Sequence, residues 1–156
     1  MKKIFYVAVL LLFSANSVVG QIRRPPVQGY VDLDLPSGTL WKEYNEGCFT
    51  MTEAIKKFGN QIPTNDQTIE LQAHCTWAWE GNGYRVTGKN GKSIFLPADG
   101  YYDCNNDLKG YPTEGYYMHR DKSWENKYSV GFSFTSTGRG GYMSFLCYAI
   151  SVRLVK

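Results

Sequence analysis

Tyr30-Val31-Asp32-Leu33-Asp34-Leu35-Pro36-Ser37-Gly38-Thr39-Leu40-Trp41 is the stretch on which the fold turns. Tyr30, Val31 and Leu33 suit a strand, Leu40 to Tyr44 suits another, and Leu35-Pro36-Ser37-Gly38 between them is turn chemistry. Proline presets its own φ in such a turn and glycine is free to take a positive one. A β-hairpin therefore opens the folded part of the chain, at Gly29.

Downstream, two short helices are expected. Thr50-x-x-Glu53 has capping-box spacing, Ala54, Ile55 and Phe58 share one face, and Gly59 stops the helix. Thr64-x-x-Gln67 repeats the box behind Pro63, with Ile69 and Ala73 expected to face the core and His74-Cys75 at the end. Tyr84–Thr87, the Gly88-Lys89-Asn90-Gly91 turn and Lys92–Leu96 then make a hairpin. Asp99 to Asn126 reads as ordered loop with one short strand near Tyr116–Met118. Tyr128, Val130, Phe132 and Phe134 alternate as a half-buried strand would. Gly138–Gly141 is expected to turn the chain, and strands over Tyr142–Leu146 and Ile150–Val155 finish the sheet.

Upstream, Lys2 and Lys3 precede an apolar run from Ile4 to Phe13, and Ser14–Gly20 turns small and polar. An apolar run of ten residues is too short to span a bilayer, which needs about 20. Charge, short apolar run and small residues in that order form a secretory signal over 1–20, cut after Gly20 with Val18 at the minus-three position. Residues 21–28 read as a short leader and 29–156 as a single domain. The expected destination is periplasmic, cell-surface or extracellular, with no membrane insertion after cleavage. Removal of the signal takes away two lysines and no acid, so the net charge falls from +3 to +1. That balance offers no electrostatic reason to bind nucleic acid. Twelve tyrosines, sixteen glycines and 15% aromatics favour a β-rich fold with many turns.

Several segments, in order, resemble the Fibrobacter succinogenes major paralogous domain, abundant in secreted proteins of Bacteroides relatives. The opening Tyr30–Trp41 stretch matches its Y-V-D-L-G-L-P-S-G-T-L-W, with Asp34 in place of a glycine. Ile62-Pro63-Thr64, Cys75-Thr76-Trp77-Ala78-Trp79, Gly83–Gly88, Ser93–Tyr101 and the closing Ser151–Val155 resemble further family segments. Gln61 replaces the usual arginine, and Tyr117-Met118-His119-Arg120 replaces its W-S-S-T. The resemblance implies an α+β, C-type lectin-like fold akin to that of formylglycine-generating enzymes. In that fold mixed, mostly antiparallel sheets carry two short helices and long loops, and the N- and C-terminal strands pair. It implies no general activity.

Loop tyrosines give large, rigid contact area at low entropic cost. Tyr101, Tyr102, Tyr111, Tyr116 and Tyr117, with Trp124, are therefore the candidate surface for a glycan or protein partner, with the Thr135–Tyr142 turn alongside. The same loops hold Asp99, Asp103, Asn105, Asn106 and Asp107, hard oxygen donors of the kind calcium prefers, and Trp124-Glu125-Asn126 superficially resembles the W-N-D of calcium-binding lectins. Asp103, Asn105 and Asp107 are the candidate calcium ligands; the competing reading is a loop whose Asx side chains cap its own turns. The lectin partner motif E-P-N or Q-P-D is missing, and no cofactor is expected otherwise. Trp77 and Trp79 alternate and are expected to fill core. Cys48, Cys75, Cys104 and Cys147 allow three pairings in an oxidising compartment, or solitary buried thiols. His74 and His119 sit in no hydrolase motif, and Glu80 and Glu114 in no recognisable carboxylate pair. The expectation is a secreted, non-enzymatic recognition domain, with a structural or tip subunit of a surface appendage and a small hydrolase as the alternatives.

Overall fold

The structure, a computed structural model, describes residues 27–121 and 127–156, so the signal and its cut site lie outside the described residues. It is α+β, mostly sheet with two short helices. The opening hairpin pairs β1 (Tyr30–Asp32) with β2 (Leu40–Lys42), Val31 opposite Trp41. Next come β3 (Cys48–Phe49), α1 (Met51–Phe58), a short 3-10 turn and α2 (Asn65–His74). Both helices start on complete capping boxes: Thr50 with Glu53, and Thr64 with Gln67. β4 (Thr76–Trp79), β5 (Gly83–Thr87) and β6 (Ser93–Pro97) form an antiparallel sheet in that order. β7 (Tyr101–Tyr102) and β8 (Leu108–Lys109) make a small ribbon. β9 (Gly115–Met118), β10 (Ser129–Thr135), β11 (Gly138–Ser144) and β12 (Ile150–Ser151) complete a five-stranded sheet, order β11-β10-β9-β12-β3. Only β9 and β12 run parallel there.

The opening hairpin meets the C-terminal segment, through β2 rather than β1. Trp41 bridges Val155, and Leu40 and Lys156 exchange both backbone hydrogen bonds. Asp34, standing where the resembling family has glycine, takes a φ of 57°, and its N–H donates to the Asp32 carboxylate. Asp is among the few side chains that tolerate that region.

Four local expectations need correcting. α2 buries Thr68 and Leu71, whereas Ile69 is 53% exposed and Ala73 is also outside. Apolar residues are scattered round this helix, so i,i+4 spacing alone picked the wrong side. Gly138–Gly141 does not turn the chain: it is the first half of β11, and the turn is Ser136-Thr137, between paired Thr135 and Gly138. The Thr137 N–H donates to the Thr135 hydroxyl, which supplies the turn chemistry that glycine was expected to supply. β10 is buried on both faces from Ser129 to Phe132 rather than half-buried, and Tyr128 lies outside the strand, 37% exposed. The Asp99–Asn126 loop contains β7, β8 and β9, with 122–126 outside the described residues.

One buried cluster joins Trp41, Leu71, Tyr84, Leu96, Tyr117 and Phe134, with Trp77 and Trp79 packed half-buried against it. A second gathers Met51, Ile62, Met118, Val130, Ile150 and Leu154 under α1. Between residues 42–45 and β6 lies Arg153, 2% exposed. Its guanidinium donates to Asn45 Oδ1 (2.7 Å), to the carbonyls of Lys42 (2.9 Å) and Glu43, and to the Phe95 carbonyl (2.7 Å). Asn45 donates in turn to Asp99 (3.1 Å) and to the Tyr117 hydroxyl (3.0 Å), which donates to the Pro97 carbonyl (2.9 Å). Burial pushes the Arg153 pKa down, and Tyr117, Asp99 and Glu43 oppose it.

Arg153→Met is expected to cost at least about 3 kcal/mol, because it strands several buried acceptors at once. Arg153→Lys should recover only part of the loss, since one ammonium cannot fork to residues 42–45 and Phe95 at once. Urea unfolding midpoints measure both. Leu71→Ala should cost about 2–5 kcal/mol, whereas Ile69→Ala should stay within about 0.5 kcal/mol; equal effects in the same assay would refute the observed face of α2.

Candidate functional site

β9 divides its tyrosines by the period-two rule of a strand. Tyr117 points into the core, 1% exposed, stacked 5.5 Å from Phe132. It therefore leaves the candidate surface: its ring fills core and its hydroxyl serves the Arg153 network. Burial pushes its pKa up. Tyr116 points the other way and stays half-exposed. Its hydroxyl donates to Glu114 at 2.5 Å, and desolvation together with that carboxylate raises its pKa.

Tyr116 belongs to a row of rings. Tyr142 lies 4.7 Å away edge-to-face, Tyr101 4.8 Å away edge-to-face, and Tyr148 stacks on Tyr101 at 5.2 Å. Phe145 continues it, 6.0 Å from Tyr148. Tyr116 and Tyr142 stand on strands separated by β10, opposite Ser133 and Gly131 respectively. Strands two apart are roughly 9.6 Å from each other, so these rings can meet only over short side chains. Gly131 and Ser133 supply them. Gly131 is also held by space, since a Cβ there would lie 2.0 Å from the Tyr117 carbonyl oxygen.

The far end of the row is fixed covalently. Tyr102 and Ala149 exchange backbone hydrogen bonds (2.9 and 3.0 Å), and a disulfide joins Cys104 to Cys147, next to Tyr148. This settles the pairing: Cys48 and Cys75 are free, and desolvation pushes both thiols up. Beside Tyr148 a shallow open groove of about 280 Å³ is lined by Tyr128, Met143, Ser144, Phe145 and Tyr148. Met143 and Phe145 are 59% and 68% exposed. Exposed large apolar side chains gathered in one place mark a candidate contact surface.

Of the sequence candidates, the structure brings together Tyr101 and Tyr116. Tyr102 sits half-buried beside them, engaged through its backbone. Tyr111 is 61% exposed, and no ring contact joins it to the row. Trp124 lies outside the described residues. Tyr128, Met143, Phe145 and Tyr148 were missed, and Tyr142 was expected beside the surface as the end of a turn, whereas it stands within β11. Tyr148 lies beside Cys147, which only its disulfide partner brings to the loop.

The acidic loop is self-capped. Asp103 Oδ1 accepts the N–H groups of Asn105 (2.9 Å) and Asp107 (3.0 Å), and Lys109 approaches Oδ2 at 3.7 Å. The Asp107 amide foremost, then the Asn105 amide and Lys109, hold its carboxyl below the usual range. Asn106 completes the turn at a φ of 63°. Among the described residues, no group of three or more His, Cys, Asp or Glu side chains gathers as metal ligands would. His119 is buried, with Nδ1 3.4 Å from the Thr68 hydroxyl, and burial lowers its pKa against the opposing charge of Asp121. His74 is exposed at the end of α2. Glu80 faces Arg85 at 2.9 Å, while Glu114 serves Tyr116.

Compared with protein families, with curated proteins and with solved structures, the chain finds no match. No described helix is long and apolar enough to cross a membrane.

Replacing Cys104 and Cys147 together by alanine is expected to cost about 2–4 kcal/mol, the usual range for a disulfide closing a loop of this order. Amide exchange at Tyr102 and Ala149 should quicken relative to β10. Exchange unchanged at those two amides would show that the disulfide does not hold the tyrosine row.

Proposed function

We propose that this is an exported, non-enzymatic recognition domain that binds a glycan or protein partner on the row Tyr142–Tyr116–Tyr101–Tyr148 and the adjoining groove. The observation that carries the reading is the contiguity of four tyrosine rings with exposed Phe145 and Met143. Flat rings with polar rims suit the apolar faces and hydroxyls of sugars and the side chains of a protein loop alike. The row is held before any ligand arrives, by the disulfide, the Tyr102–Ala149 bonds and Gly131. Pre-organisation of this kind lowers the entropic cost of binding.

Export is supported by the charge and apolar pattern of residues 1–20 and by a disulfide typical of oxidising compartments. The C-type lectin-like reading, and with it membership of the Fibrobacter succinogenes major paralogous family, is supported by three features. The opening hairpin meets the C-terminal segment, two capped helices follow that hairpin, and the residue at the family's glycine position has positive φ.

The test is a glycan array probed with purified protein, with calcium and again with a chelator, followed by titration of the best hits. Saturable binding is expected, weakened at least tenfold by Tyr101→Ala combined with Tyr148→Ala, which corresponds to about 1.4 kcal/mol or more. Tyr111→Ala should leave it unchanged. Binding that survives the double substitution overturns this surface. Binding lost on chelation returns the site to Asp103, Asn105 and Asp107. No binding to any glycan moves the reading to a protein partner.

A further inference from the structure

We propose that the outer edge of β11 pairs with the same edge of a second copy, giving an antiparallel two-fold dimer. β11 is the outermost strand of the five-stranded sheet and runs seven residues, Gly138-Arg139-Gly140-Gly141-Tyr142-Met143-Ser144. Its inner side pairs with β10 over all seven positions without a bulge, and no described residue bonds to its outer side along the strand. Natural sheets blunt such an edge with lysine, proline, a bulge or a covering element. β11 carries no lysine and no proline, and its first four residues are exposed. The opposite edge of the sheet, β3, is two residues long.

The strand is self-complementary. Full overlap of β11 with its own antiparallel copy puts the axis at its middle residue, Gly141. Gly138 then faces Ser144, Arg139 faces Met143, and Gly140 faces Tyr142. A residue on the axis meets its own copy with Cβ atoms about 5 Å apart, and here that residue is glycine. A Cβ at Gly138, Gly140 or Gly141 would find nothing within 4 Å, so neither face of this half-strand is obstructed. Tyr142 leans over β10 onto Tyr116, away from the edge. The two Arg139 side chains would stand four residues apart along the strands, about 13 Å, beyond the Debye length of about 8 Å in physiological salt. The single charge of the strand therefore does not oppose pairing.

The same register sets Thr137 of one copy beside Phe145 of the other, so the partner's hairpin tip borders the apolar groove. Exposed Phe145, Met143 and part of Tyr128, which also line the proposed ligand groove so that a ligand and a second copy compete for them, offer with the bare strand roughly 500 Å² per copy, or about 1,000 Å² in all, at the lower limit of a specific interface. A two-fold contact uses one patch twice and closes on itself. The expected product is a weak, discrete dimer rather than a filament.

Sedimentation equilibrium on the purified protein should show reversible dimerisation with a dissociation constant of order 10–100 μM, as the small area implies. Gly141→Lys, placed in open space, puts two ammonium groups on the axis and should weaken association at least tenfold with an unchanged melting temperature. Gly141→Cys, with Cys48 and Cys75 replaced by serine, should cross-link into a covalent dimer under mild oxidation; this arm stands if the lysine variant fails to fold. Monomer throughout the concentration range, a dimer indifferent to Gly141→Lys, or failure of Gly141→Cys to cross-link overturns the proposal.

Discussion

A guanidinium sealed inside the protein is the constraint around which the rest is arranged. Taking a cation such as Arg153 out of water costs several kcal/mol even after relaxation, and only well-placed acceptors offset it. Here the acceptors come from residues 42–45 and from Phe95, segments distant in sequence from 153. The cation can be satisfied only when the opening hairpin, the third strand of the small sheet and the chain end have all arrived. Apolar contacts alone would tolerate sliding between these pieces. A forked donor with fixed directions does not, so the Trp41–Val155 bridge and the Leu40–Lys156 bonds form in one register.

That network reaches the surface through a single residue step. Tyr117 shares the hydroxyl side of the Arg153 cluster through Asn45, and its neighbour Tyr116 faces outward into the tyrosine row. Because strand side chains alternate, whatever fixes Tyr117 also fixes the rotation of β9 and hence the direction of Tyr116. The glycines act at the same level. Gly115 lies under the Phe134 ring, which a Cβ would strike at 2.1 Å, and Gly131 lies between Tyr116 and Tyr142. Core and surface are two sides of one strand pair.

The sequence made the opening hairpin, the β5–β6 hairpin, both helix starts and the strand at β10 legible, because each is announced locally by turn residues, capping boxes or alternation. It made the core face of α2 illegible. That helix is ten residues long with its apolar residues spread around it, so which side is buried depends on what packs there, namely Thr68 and Leu71. Gly138–Gly141 misled for a related reason. Glycine usually marks a turn, yet the Thr135 hydroxyl had already turned the chain, leaving the glycines as a bare strand. The site was half visible. Loop composition found Tyr101 and Tyr116, but nothing local distinguishes Tyr117, whose burial is a property of the sheet. Tyr142 and Tyr148 enter the row only because β11 returns beside β10 and Cys147 reaches Cys104.

The placement of that disulfide bears on how the surface works. A domain with two buried clusters does not require a covalent staple to fold, and two of its four cysteines remain free thiols. Cys104–Cys147 does not cross the core. It ties the turn after β7 to the turn after β11, where the chain has little regular structure and the rings of Tyr101 and Tyr148 must stack. Loops at a surface otherwise sample many arrangements, and a ligand would have to freeze them on binding. A bond at this position removes that freedom beforehand. The covalent constraint acts on the tyrosine row, while the polar cluster at Arg153 maintains the frame behind it.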